Sequence, residues 1–118
     1  MTLDEIRNIA LSLPFSTEGF PFNQTTLVFK VGGKMFLLID VESPDCIILK
    51  VNPEDREQLI ESHEWIAPGF HMNKNHWITV SIDTMHTNAQ LVSQFIKDSH
   101  ALVYGGLTKK VRSGLENR

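Results

Sequence analysis

Two apolar runs, Thr26–Val31 and Lys34–Asp40, are joined by Gly32-Gly33. A two-residue turn between hairpin strands needs positive backbone φ, which glycine alone adopts without a Cβ penalty. This stretch therefore commits the chain to an antiparallel sheet. Counting outward from the turn pairs Lys30 with Met35, Phe29 with Phe36, and Leu27 with Leu38. Strict alternation then puts Leu27, Phe29, Val31, Phe36 and Leu38 on one face, with Thr26, Val28, Lys30, Met35, Leu37 and Ile39 on the other.

The rest of the chain supplies partners for that hairpin. Ser43-Pro44-Asp45 turns the chain into a third run, Cys46–Val51, and His76–Ile82 reads as another clear strand. Trp65-Ile66 reads as a short strand stopped by Pro68-Gly69. Three helices are marked by their starts. Thr2 and Glu5 form a capping box ahead of Leu3, Ile6, Ile9, Ala10 and Leu13, and Pro14 stops that helix. Asn52-Pro53, followed by Glu54 and Asp55, opens a second helix that ends near Ser62. Thr87 to Gln90 reads as another capping box, opening a third helix that Gly105-Gly106 closes. The expected fold is therefore α+β, a two-layer, mainly antiparallel sheet with helices on one face, in the order α-β-β-β-α-β-β-α. Residues 1–106 form the expected single domain, and 107–118 a basic, flexible tail.

Packing the all-apolar sets under the helices leaves Val28, Lys30, Met35, Leu37, Ile39, Trp77 and Thr79 on the open face, joined by Lys50 where register allows. Such a face is too apolar for plain exposure and predicts an interaction patch. Two uses suit it: a homodimer or protein partner covering the apolar residues, or a nucleic-acid surface with Trp77 as a stacking platform and lysines on phosphates.

Composition narrows the function classes. The chain has 118 residues and a formal net charge of −3, which argues against a protein coated in nucleic acid through bulk charge. That average hides an asymmetry: residues 1–70 carry net −6, and residues 71–118 carry net +3. One cysteine, Cys46, excludes an internal disulfide and a cysteine-based zinc site, and its apolar strand suits a small buried side chain. The polar, acidic start and the lack of a long apolar run predict a cytoplasmic protein with no membrane partner. The densest polar cluster is His71, Asn73, Lys74, Asn75 and His76. It holds no third ligand at metal spacing, and no Ser/His/Asp order, phosphate loop or paired carboxylates accompany it. The expectation is a protein without catalytic activity, metal or cofactor.

The segments "MTLDEIRNIALSLP" (Met1–Pro14), "EGFPF" (Glu18–Phe22), "VFKVGGKMFLLI" (Val28–Ile39), "ILKVNPEDREQL" (Ile48–Leu59), "FHMNKNHWITVSID" (Phe70–Asp83) and "IKDSHALV" (Ile96–Val103) come in the order seen in the MmcQ/YjbR family. The chain resembles that family over about residues 2 to 110. The resemblance implies a secretion-chaperone-like or frataxin-like fold and a small bacterial DNA-binding protein with a double-wing arrangement of strands and loops. The positions matching the family's recurrent polar residues are Lys30, Lys34, Lys50, Asn73, Lys74, His76 and Trp77. Phosphate contacts by these lysines would be weak and salt-sensitive: about four neutralised phosphates give a slope of log affinity on log salt of about −3.6.

Overall fold

The computed structural model describes residues 1–69, Met72 and 75–117. The expected elements appear in the expected order: α1 (Leu3–Ser12), β2 (Thr26–Val31), β3 (Lys34–Asp40), β4 (Cys46–Lys50), α2 (Pro53–Ser62), β5 (Ile66–Pro68), β6 (Trp77–Ser81) and α3 (Ala89–Gly105). Two elements join them: a short strand, β1 (Ser16–Gly19), and a C-terminal helix, α4 (Lys109–Glu116). The segment after Gly106, expected to fray, thus carries a capped helix in which the Thr108 side chain accepts the Val111 amide.

Among the described residues the strands form one six-stranded sheet, β1-β2-β3-β4-β6-β5, with every neighbouring pair antiparallel. Strand β6 fits between β4 and β5, so α2 carries the chain across to the far edge and β6 returns inside it. The helices cover one face. Ile6 and Ala10 of α1 and Val92, Phe95, Ile96 and Val103 of α3 close over Leu27, Phe29, Val31, Ile47, Leu49, Ile78 and Val80 in one core. No helix among the described residues is long and apolar enough to cross a membrane.

Two local readings are corrected. Lys30 does pair with Met35, but Phe29 pairs with Leu37, Val28 with Leu38 and Leu27 with Ile39. Phe36 is an extra residue in β3, a bulge that lets both Phe36 and Leu37 point under the helices. Leu37 and Ile39, expected on the open face, are therefore core residues, and Leu38 takes the open side with Val28 and Trp77. The third helix is capped one residue later than expected. Asn88 accepts the Leu91 amide, while the Thr87 hydroxyl donates to the Ser81 carbonyl at 2.8 Å.

Candidate nucleic-acid interface

The hairpin turn is built as its glycines require. Gly32 and Gly33 have φ of +59° and +81°, the two positive values of a tight turn that follows the strands' own twist. Gly32 is also the point of closest approach: a Cβ there would lie 2.6 Å from Leu107 Cδ1 and 3.1 Å from Val111 Cγ1. The lead into α4 therefore packs directly on the turn. Gly32, Gly33, Ser16, Thr17 and Lys110 line one surface depression, so α4 brings its basic first turn alongside the hairpin tip.

The expected site residues fall as follows. Lys34 opens β3 beside the turn and is exposed, while Lys30 is half-buried on β2 between Thr17 and Met35. Lys50 ends β4 opposite Trp77, the first residue of β6. His76 is half-buried, and its carbonyl accepts the Val51 amide at 2.8 Å. Asn73 and Lys74 lie outside the described residues. In an antiparallel sheet the end of β2, the start of β3, the end of β4 and the start of β6 share one end. The structure thus gathers Lys30, Lys34, Lys50 and His76 at a single end of the molecule.

Trp77 is corrected as a stacking platform. It is 8% exposed and packs with Val28 and Leu38, with Met35, Ile48 and Met72 at the margin of that cluster. Its carbonyl accepts from the Gly69 amide at 3.1 Å and from Arg56 Nε at 3.3 Å. Gly69 passes so close that a Cβ on it would stand 2.7 Å from the Trp77 Cβ. A ring held this way is a wall of a second small core and offers no free face to a base. The open face of the sheet is accordingly covered: Val28, Leu38 and Thr79 are 1%, 7% and 6% exposed.

The residues that the expected site left aside are those of α4. Lys109 and Lys110 occupy its first turn, where acidic residues are absent and the helix dipole is itself positive. Their signal was present in sequence as Thr108 followed by Val111 and Leu115 at helical spacing. Away from this end, Cys46 sits where burial raises its thiol pKa, the opposite of what an activated nucleophile needs.

Comparison with known proteins places this architecture. The family model described as YjbR matches residues 11–102. The chain is 38% identical over 105 residues to the Escherichia coli O157:H7 protein described as uncharacterized protein YbdF, covering 88% of this chain and 85% of that one. It is 28% identical to uncharacterized protein YjbR of Escherichia coli K12, covering 77% and 78% of the two chains. A crystal structure of a Deinococcus radiodurans protein, described as a DUF419 domain, superposes with a TM-score of 0.89 at 42% identity, covering 98% of this chain and 88% of that one. A Pseudomonas syringae protein superposes with a TM-score of 0.74 at 26% identity, covering 87% and 99% of the two chains. From residue 11 to residue 102, across both faces of the sheet, this chain belongs to the YjbR family.

Proposed function

We propose that this protein is a non-enzymatic DNA-binding module that holds phosphates at the basic end of its sheet. The observation that carries the reading is the docking of α4 on the Gly32-Gly33 turn, which brings Lys110 of its first turn to the depression lined by both glycines, with Lys34 the next residue along the chain. Lysines on a rigid turn and a helix N-terminus position phosphate oxygens without reading sequence. Ser16 lines the same depression, while its Oγ is buried beneath the surface without a hydrogen-bond partner among the described residues. Lys30 and Lys50 extend the charge along the same end of the sheet.

The contact differs from the one expected of the sequence in its centre. It moves from Trp77 to the turn and α4, because Trp77 is buried and α4 is an ordered helix. A peptide-binding or dimerising module on the open apolar sheet face is less well supported, since Val28, Leu38 and Trp77 are already covered there. The testing experiment is fluorescence anisotropy with labelled duplex and single-stranded DNA at low salt, comparing the native chain with a Lys34→Glu/Lys109→Glu/Lys110→Glu variant. Binding that the triple change abolishes supports the reading. No binding at low salt, or binding the triple change leaves intact, overturns it.

A further inference from the structure

A second concave site lies on the opposite side of the sheet from Trp77. Helix α2 buries none of its residues and rests on β5 and β6, leaving a cleft of about 590 Å³ between it and α3. Helical spacing explains the lining. Asp55, Leu59 and Ser62 share one face of α2, and Phe95, Asp98 and Leu102 share one face of α3. The floor is apolar and firm: Val51 and Phe95 are each 7% exposed, and Phe95 is braced by Trp65 with ring centroids 6.3 Å apart.

The polar groups around that floor include two carboxylates, with the neutral side chains of Asn52, Gln58 and Ser62 among them. Asp55 stands on one wall and Asp98 on the other, and neither is in an ion pair with a lysine or arginine among the described residues. Asp98 takes its hydrogen bond from the neutral Gln94 amide at 2.8 Å, so its charge is not offset. His63 closes one end, with Nδ1 at 3.1 Å from the Leu59 carbonyl. A carbonyl can only accept, so Nδ1 donates this bond. Lys50 meets the cleft at the end of β4, but alternation from Ile48 turns its side chain to the opposite face, beside Trp77.

We propose that the α2–α3 cleft binds a small amphipathic amine, its ammonium held between Asp55 and Asp98 and its apolar body laid on Val51, Leu59, Phe95 and Leu102. The volume suits one small molecule, and an apolar floor with a few convergent polar groups is the usual form of such a site. An ammonium offers three donors to the two carboxylates of the rim, and charge complementarity selects it over an alcohol or an acid of the same shape. This site meets the basic end of the sheet at Lys50, but Asp55 and Asp98 take no part in the DNA contact, so its test does not depend on DNA binding.

The experiment is an NMR titration of the full native chain with phenethylamine, phenethyl alcohol and hydrocinnamate, repeated on an Asp55→Asn/Asp98→Asn variant. Both carboxylates are exposed, so the isosteric change leaves the fold in place, which the amide spectrum itself verifies. The expected result is amide shifts confined to α2, the end of β4 and α3, with the amine binding at least about tenfold more tightly than the alcohol. The double variant should lose that preference and bind amine and alcohol alike. Equal binding of amine and alcohol by the native chain overturns the proposal, as does tighter binding of the carboxylate. So do an amine preference that survives in the variant, shifts that map elsewhere, or no shifts at probe concentrations up to about 10 mM.

Discussion

The Ser99 hydroxyl donates to the Phe36 carbonyl at 2.6 Å and accepts the Lys50 amide at 2.9 Å. It thereby fills the gap that the β3 bulge opens between β3 and β4, where regular pairing ends at Leu37 and Leu49. A fully buried side chain on α3 completes a backbone ladder it does not belong to. Ser99→Ala removes the partner of the buried Phe36 carbonyl and of the part-buried Lys50 amide and should cost about 2–4 kcal/mol in urea unfolding. A loss below about 0.5 kcal/mol, within the range of ordinary surface changes, contradicts this role.

That hydroxyl also explains what the sequence could and could not reveal about the sheet. The hairpin, its turn and the pairing of Lys30 with Met35 follow from Gly32-Gly33 and two flanking apolar runs. The bulge does not, because Met35–Ile39 is apolar throughout and fits either register equally well. The backbone groups at the bulge are met by Ser99, 63 residues from Phe36 in the chain. β1 escaped notice for a different reason: Ser-Thr-Glu-Gly is a short polar edge strand, held through pairing with β2 rather than by its own pattern. The lysines were legible one by one. Their convergence was not, since the sheet order alone puts the turn, the end of β4 and the start of β6 at one end, and the packing of α4 on the turn follows from no local pattern.

Trp77 separates the two expected uses of the open face from the role it has. As a member of the cluster with Val28 and Leu38, Trp77→Ala should lower stability by about 3–5 kcal/mol, read by urea unfolding. A change under about 1 kcal/mol, with DNA affinity reduced in proportion to a lost stack, would restore the stacking reading.

The two turn glycines should respond unequally. Gly33→Ala meets open space and carries only the cost of a left-handed alanine, about 1–2 kcal/mol. Gly32→Ala carries that cost and also drives a methyl into Leu107, so it should be the more destabilising and should loosen α4. Unfolding curves and amide exchange in Lys109–Glu116 read both effects. Equal losses, with α4 protection unchanged, would show that α4 does not rest on the turn.

Acid should weaken the tie between α1 and β1. The Arg7 guanidinium hydrogen-bonds Glu18 and holds its carboxyl below the usual carboxylate range. A depressed folded value means the pair's contribution is whole above the ordinary carboxylate pKa and is lost as pH falls through the lowered one. The difference in melting temperature between the native chain and Glu18→Gln should therefore shrink from neutral to acidic pH. A difference that stays constant through that window would remove the ion pair from the account.

The central claim is that Lys34 and the first turn of α4 form one phosphate-binding surface. Its most direct measurement is the salt dependence of duplex DNA affinity, compared between the native chain and a Lys109→Ala/Lys110→Ala variant. With about four phosphates neutralised, the native slope of log affinity on log salt should be about −3.6, and removing two contacts should reduce it to about −1.8. An unchanged slope in the variant, or a native affinity that does not fall with salt, would contradict the claim.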